Sequence, residues 1–411
     1  MRTLLLFLSM LVTASHVACG ARTDLLEGEA TDGGGAAGAS GAGGEAGPGY
    51  SQTALALGSY HTCSVRFDGR VLCWGGNQQG QLGDGTTDAR TSPVRVPLPD
   101  ASVVALAAGF RHTCAALTTG EVYCWGENTD GQVSPDAGSI VTSPVRVPLE
   151  GVDFHGVNGL AAGEYHTCAA LADGRIVCWG SHRQGQLGVG PDSIASGPTV
   201  VPLPEAAVQV TAGDFFTCAV LLGDRSVWCF GQNHYGQLGD GTNEDSSLPV
   251  RARIEGRVQR VDAGGFFALA SLQGEGYPPL MGWGENGSGQ LGLTVDDKVA
   301  LPTAVTPSWN LVHWSAGLSH SCAVLWHEGP YETVCWGTNG QGQLGDGTTA
   351  SRPEPRPVKT SFDAHIVEAG LLHTCAESMA GETYCWGSNE HGQLGDGTTT
   401  DRTTPVRVQG L

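Results

Sequence analysis

HTCSVRFDGRVLCWGGNQQGQLGDGT, His61–Thr86, returns in altered form six more times along the chain. The units align on the glycine ahead of each HTC-like triplet: Gly58, Gly109, Gly163, Gly213, Gly264, Gly317 and Gly370, about 50 residues apart. Each unit then reaches an aromatic–Gly step at Trp74, Trp125, Trp179, Phe230, Trp283, Trp336 or Trp386. The GQLGDGT segment that follows is complete at Gly80, Gly236, Gly342 and Gly392 and eroded at Gly131, Gly185 and Gly289. A repeat of this length marks an array of supersecondary units. In the second unit, VVALAAG, HTCAAL, EVYCWG and SPVRVPL are short apolar or alternating runs separated by turn residues. They read as four short strands with no helical period. Seven such units predict an all-β fold, a seven-bladed β-propeller of four-stranded blades. The folded part opens at Thr53 with TALALG and ends in TTPVRVQGL. That offset predicts that Pro405–Val408 completes the first blade. The ring over residues 53–411 would then be closed by N- and C-terminal strands sharing one blade, which removes exposed edges.

There are 13 cysteines. Apart from Cys19 they fall as pairs inside units: Cys63 with Cys73, Cys114 with Cys124, Cys168 with Cys178, Cys218 with Cys229, Cys322 with Cys335, and Cys375 with Cys385. The fifth unit has Leu269 and Gly282 in their places. Joint loss is the pattern of a bonded pair, because an orphan thiol is a liability in an oxidising compartment. Pairing Cys63 with Cys73 leaves Phe67-Asp68-Gly69 as a three-residue hairpin loop with glycine at the left-handed position. The cysteines then face each other at a non-hydrogen-bonded site, about 4.5 Å apart at Cα. Zinc wants two ligand pairs converging in one place, which one pair per blade does not supply.

The first residues read as an export signal over 1–18: Arg2, then an apolar run Leu4–Val12 too short to span a bilayer. HVAC, ending at Cys19, resembles the lipobox of bacterial lipoproteins, which implies lipidation of Cys19 at an outer membrane or cell surface. The rival reading is cleavage after Ala21 and secretion. Residues 19–52 include TDGGGAAGASGAGGEAGPG, Thr31–Gly49, which lacks the large side chains needed to fold and reads as a flexible tether.

The pattern GxxHTCAL…VYCWGxNxxGQLGDGT resembles the repeat of the regulator of chromosome condensation family, from Thr53 to Leu411. The resemblance implies a seven-bladed propeller. It also brings the family's best-known activity, nucleotide exchange on a small GTPase, as a remote alternative for a chain that reads as exported.

With a formal net charge of −20, phosphate binding is disfavoured, so no nucleic-acid partner is expected, and membrane contact is expected through a lipid anchor alone. His61, His112, His166, His320 and His373 recur two places before a cysteine. Phe216 and Phe267 replace them elsewhere, which points to packing, with imidazole bonding the backbone, and away from a metal or proton site. Asp84, Asp240, Asp346 and Asp396 of GDGT fit Asx-turns better than a calcium loop. No nucleophile elbow, phosphate loop, zinc-protease or dinucleotide motif is present. Catalytic residues, metal and cofactor are therefore read as none. The expected function is a monomeric, non-enzymatic binding scaffold at the cell surface, presenting rim loops to a protein partner. Tyr165, Phe215, Tyr235 and Trp326 are the candidate anchors. A glycan-binding or glycan-processing role is the alternative.

Overall fold

Each unit folds on itself first. In the computed structural model, which describes residues 54–149, 156–191, 197–274, 280–294, 297–305, 310–326 and 329–411, the first unit forms β1 (Ala54–Leu57), β2 (His61–Val65), β3 (Val71–Gly75) and β4 (Arg90–Arg95). They pair antiparallel in that order, and the other six units repeat the arrangement as six further four-stranded sheets. The expected leader, Cys19 and tether lie outside the described residues. β2 is buried along its whole length, as a strand covered on both faces should be, and β4 at the outer edge is half-buried, with two of its six residues exposed. No helix among the described residues is long and apolar enough to cross a membrane.

The strand shared between the two ends does not form. Arg402–Arg407 pairs with Thr383–Gly387 of its own unit, Cys385 opposite Val406. β4 pairs with β3 in the same way, Cys73 opposite Val94. The loop between the last two strands decides this. The Asn77 carboxamide accepts from the Leu82 N–H and donates to the Thr86 and Asp88 carbonyls. Asp84 accepts from the Thr86 N–H at 3.0 Å and pairs with Arg90 at 2.8 Å. The GQLGDGT segment is thereby held as a compact turn that returns the chain beside β3, so each PVRV strand joins the hairpin just before it.

The same loop locks each blade to the next. The Gln81 carbonyl accepts from Trp125 Nε1 and Thr113 Oγ1, both at 2.9 Å. The Gln393 carbonyl of the last blade accepts likewise from Trp74 Nε1 and Thr62 Oγ1 of the first, both at 2.9 Å. The ring closes through side chains, with no shared strand. Inside this lock sits the recurring histidine. His61 Nε2 lies 2.7 Å from Thr113 Oγ1. Since the Thr113 hydroxyl proton goes to Gln81, the imidazole must donate, as the neutral Nε2–H tautomer. The partner is a side chain of the next blade and not backbone, as the sequence reading had it. Phe216 stands where the next blade offers Ala268 in place of threonine, and both join one apolar cluster.

Six disulfides, Cys63–Cys73, Cys114–Cys124, Cys168–Cys178, Cys218–Cys229, Cys322–Cys335 and Cys375–Cys385, cross the β2–β3 hairpin or its equivalents, each with Cα atoms 4.1 Å apart. In the first hairpin Arg66 and Arg70 close the loop, and Gly69 takes φ +78°.

Candidate binding face

The seven aligned glycines meet at the axis. A β-carbon at Gly163 would strike the Gly213 carbonyl oxygen of the following blade and the His166 ring, and the contact recurs around the circle to Gly370 against Gly58. The blades therefore approach so closely that the axial cavity holds only about 70 Å³. That is too small for an ordinary small-molecule pocket of roughly 300 Å³ or more. The axis itself therefore has no room for such a ligand.

Two columns of the repeat build the mouth of the axis. The residue two after each glycine turns outward, and its carbonyl accepts from the residue after the aromatic–Gly step: Glu127 N–H to Arg111, Ser181 to Tyr165, Gln232 to Phe215, Glu285 to Phe266. Blade closure sets successive members side by side. The rings of His391, Tyr60, Phe110, Tyr165, Phe215, Phe266 and Tyr235 form a continuous arc, with successive centroids 4.9, 5.8, 6.5, 6.4, 6.0 and 5.4 Å apart. Most are half-buried, and Tyr235 is exposed. Three anchors read from sequence, Tyr165, Phe215 and Tyr235, thus come together. Trp326 does not. It ends a strand that begins at His320 near this mouth and pairs with Tyr331 at the opposite end of the sixth blade. A strand of that length carries it roughly 20 Å away, on the other face.

Carboxylates accompany the arc. Burial and the neighbouring Glu164 and Glu285 push Asp214 up to about 7. Burial raises Glu164 and Glu285 as well, with Glu127 adding to the effect on Glu164 and Arg111 opposing it. Burial, then a hydrogen bond to Glu164, takes Tyr165 up to about 12. Between the second and third blades, Glu127, Asp130, Tyr165, Arg183 and Phe215 line a groove of about 370 Å³. Among the described residues no group of three or more His, Cys, Asp or Glu is placed to hold a metal ion. Sequence reading missed Tyr60, Phe110, Phe266 and the carboxylates. The signal for Tyr60 and Phe266 was there in the column two places after each glycine, which reads Tyr, Arg, Tyr, Phe, Phe over five units, while Phe110, Glu164 and Asp214 stand one place after it.

The profile of the RCC1-like domain matches residues 44–277, and that of the regulator of chromosome condensation (RCC1) repeat matches 280–324, 335–376 and 380–411. The chain is 30% identical over 330 residues to the human E3 ubiquitin-protein ligase HERC2, covering 77% of this chain but only 7% of that protein. It is 28% identical to the ultraviolet-B receptor UVR8 of Arabidopsis thaliana, covering 76% of this chain and 70% of the receptor. Among solved structures it is similar to yeast RCC1 (Prp20) bound to Kap60, with TM-score 0.74 and 23% identity, covering 86% of this chain and 85% of that one.

Proposed function

Because this chain belongs to the RCC1-like family of repeat propellers, whose members bind protein partners, we propose that it is a non-enzymatic binding scaffold displayed at the cell surface. The arc of rings around the axial mouth carries the reading. Aromatic side chains supply large contact area at low entropic cost and dominate interface hot spots, and here seven lie in contact order on one face. The two best-placed anchors are Tyr165 and Phe215, with Tyr235 at the end of the arc. Six buried disulfides support folding in an oxidising compartment. The export reading of residues 1–18, the lipid on Cys19 and the tether over 19–52 agree with that setting, and together they give an anchored domain held off a membrane.

The test is cross-linking on intact cells with the wild-type protein and a Tyr165→Ala/Phe215→Ala variant, followed by mass spectrometry. A partner cross-linked by the wild type and lost with the variant supports the reading. Equal recovery by both overturns the assignment to this face. Cys19→Ser separately moves the protein from the membrane fraction to the soluble exported fraction. If fatty acid is never incorporated into the wild type, the anchor is wrong.

A further inference from the structure

The binding face contains an internal example of the ligand it is built to take. Arg111 lies with its guanidinium 5.0 Å from the Phe110 ring centroid and 6.0 Å from that of Tyr60, stacked on the part of the arc formed by the first two blades. Cations in this position are held by the negative face of the ring. The arc continues through Tyr165, Phe215, Phe266 and Tyr235, yet among the described residues no arginine or lysine stacks on these four. Carboxylates accompany the same stretch, one from each of the second to fifth blades: Glu127, Glu164, Asp214 and Glu285.

Resting on the protein-binding reading above, we propose that the axial face between the second and fifth blades recognises a cationic peptide segment of the partner, its arginine or lysine heads seated over Tyr165 and Phe215. Glu127 points independently to the same occupant. Glu127 is only 9% exposed, it lines the groove with Tyr165 and Phe215, and its Oε2 is buried with no hydrogen-bond partner. A buried carboxylate oxygen left unpaired is costly, and a donor entering the groove relieves that cost. Among the described residues the one cation lining the groove, Arg183, is exposed at its rim and sits 3.3 Å from Asp130. Burial, and then the charges of Glu164 and Glu285, raise Asp214 on the same face. The chain's overall charge of −20 attracts the same class of partner at long range.

The experiment uses fluorescein-labelled peptides of alternating Gly-Arg, Gly-Lys and Gly-Gln at physiological salt, read by anisotropy. The proposal expects Gly-Arg and Gly-Lys to bind and Gly-Gln to fail. Tyr165→Ala/Phe215→Ala weakens binding about tenfold or more. Asp214→Asn, a near-isosteric change, weakens it several-fold, and Trp326→Ala on the opposite face changes nothing. Thermal melting of each variant confirms folding, and Asp214→Asn keeps the test informative if the double variant unfolds. Equal binding of the Arg peptide to wild type and both face variants means general attraction only, and overturns the proposal. So does absence of binding, or displacement of the Arg peptide by a neutral oligosaccharide at this face. If the cationic peptides fail while the double variant still loses its cross-linked partner, the peptide class is wrong and the protein-binding reading survives. If neither depends on the face, both fall.

Discussion

At Gly163 a β-carbon has nowhere to go, because the His166 imidazole and the Gly213 carbonyl oxygen of the next blade already occupy its place. Gly163→Ala is therefore expected to cost about 2–3 kcal/mol, as overpacking of a rigid site does. Gly340→Ala, with nothing within 4 Å of the added carbon, is expected to stay within about 0.5 kcal/mol of wild type. Urea melts of the two variants check the contrast, and equal midpoints would remove the argument for a close-packed axis. The neighbouring histidine column makes a second residue-scale prediction. His112 is buried and bonds Thr167 at 2.9 Å, while Thr167 keeps its own bond to the Gln132 carbonyl. His112→Phe copies what the fourth and fifth blades already do, and should cost about 1 kcal/mol, one hydrogen bond. His112→Ala should cost about 3 kcal/mol or more by leaving a cavity.

At the scale of the hairpin, the fifth blade differs from the rest by one cross-link. Leu269 stands directly opposite Gly282, the register held by Cys168 and Cys178 in the third. Leu269→Cys with Gly282→Cys is accordingly expected to form a seventh disulfide, seen as a loss of two hydrogens by intact mass. Free thiols after air oxidation would contradict the equivalence of the hairpins. Removing a native bond with Cys322→Ala/Cys335→Ala should cost about 3 kcal/mol by the loop-entropy model, with the four-stranded sheet intact by circular dichroism. The fourth blade's hairpin also has Arg225 at φ +56°, where the loops of the first, second, third and seventh blades have Gly69, Gly120, Gly174 and Gly381, and Arg225→Gly should relieve about 1 kcal/mol of backbone strain.

Across the whole molecule, five buried imidazoles couple ring integrity to acid. Burial pushes His61, His112, His166, His320 and His373 down to about 3 from 6.5. Between those values the unfolded chain binds protons that the folded ring refuses, so stability falls as pH drops from about 6.5 toward 3. Melting temperature against pH checks this, and His112→Phe should show a shallower decline. The raised carboxyl groups of Asp214, Asp262 and Glu368 act in the opposite sense, so the difference between the two proteins is the check, and an identical slope for His112→Phe would contradict the neutral tautomer derived from the Thr–Gln relay. Trp74→Ala tests ring closure, since Trp74 caps the last blade's loop through Gln393 and packs against Gly395. A loss of about 3–5 kcal/mol is expected, together with new protease sensitivity at the junction of the first and last blades.

The chain by itself determined what depends on neighbours within a few tens of residues. The blade count, the four strands and the six cysteine pairs are legible because hairpins are local and each is written out repeatedly, with Cys63 and Cys73 only ten residues apart. The membership of the PVRV strand was misread because two pairings satisfy the same alternating pattern. The side-chain bonds of Asn77 and Asp84 inside the preceding loop choose between them. The binding face was half legible: Tyr165, Phe215 and Tyr235 could be named as aromatic, but nothing in their spacing said that they share a face with Phe110 and Phe266, or that Trp326 does not. Those relations arise when the ring closes and residues as distant as Thr62 and His373, 311 positions apart, come to 2.8 Å. Asp214's raised affinity for a proton exists only in that closed state, because carboxylates contributed by several blades must first be brought together out of water.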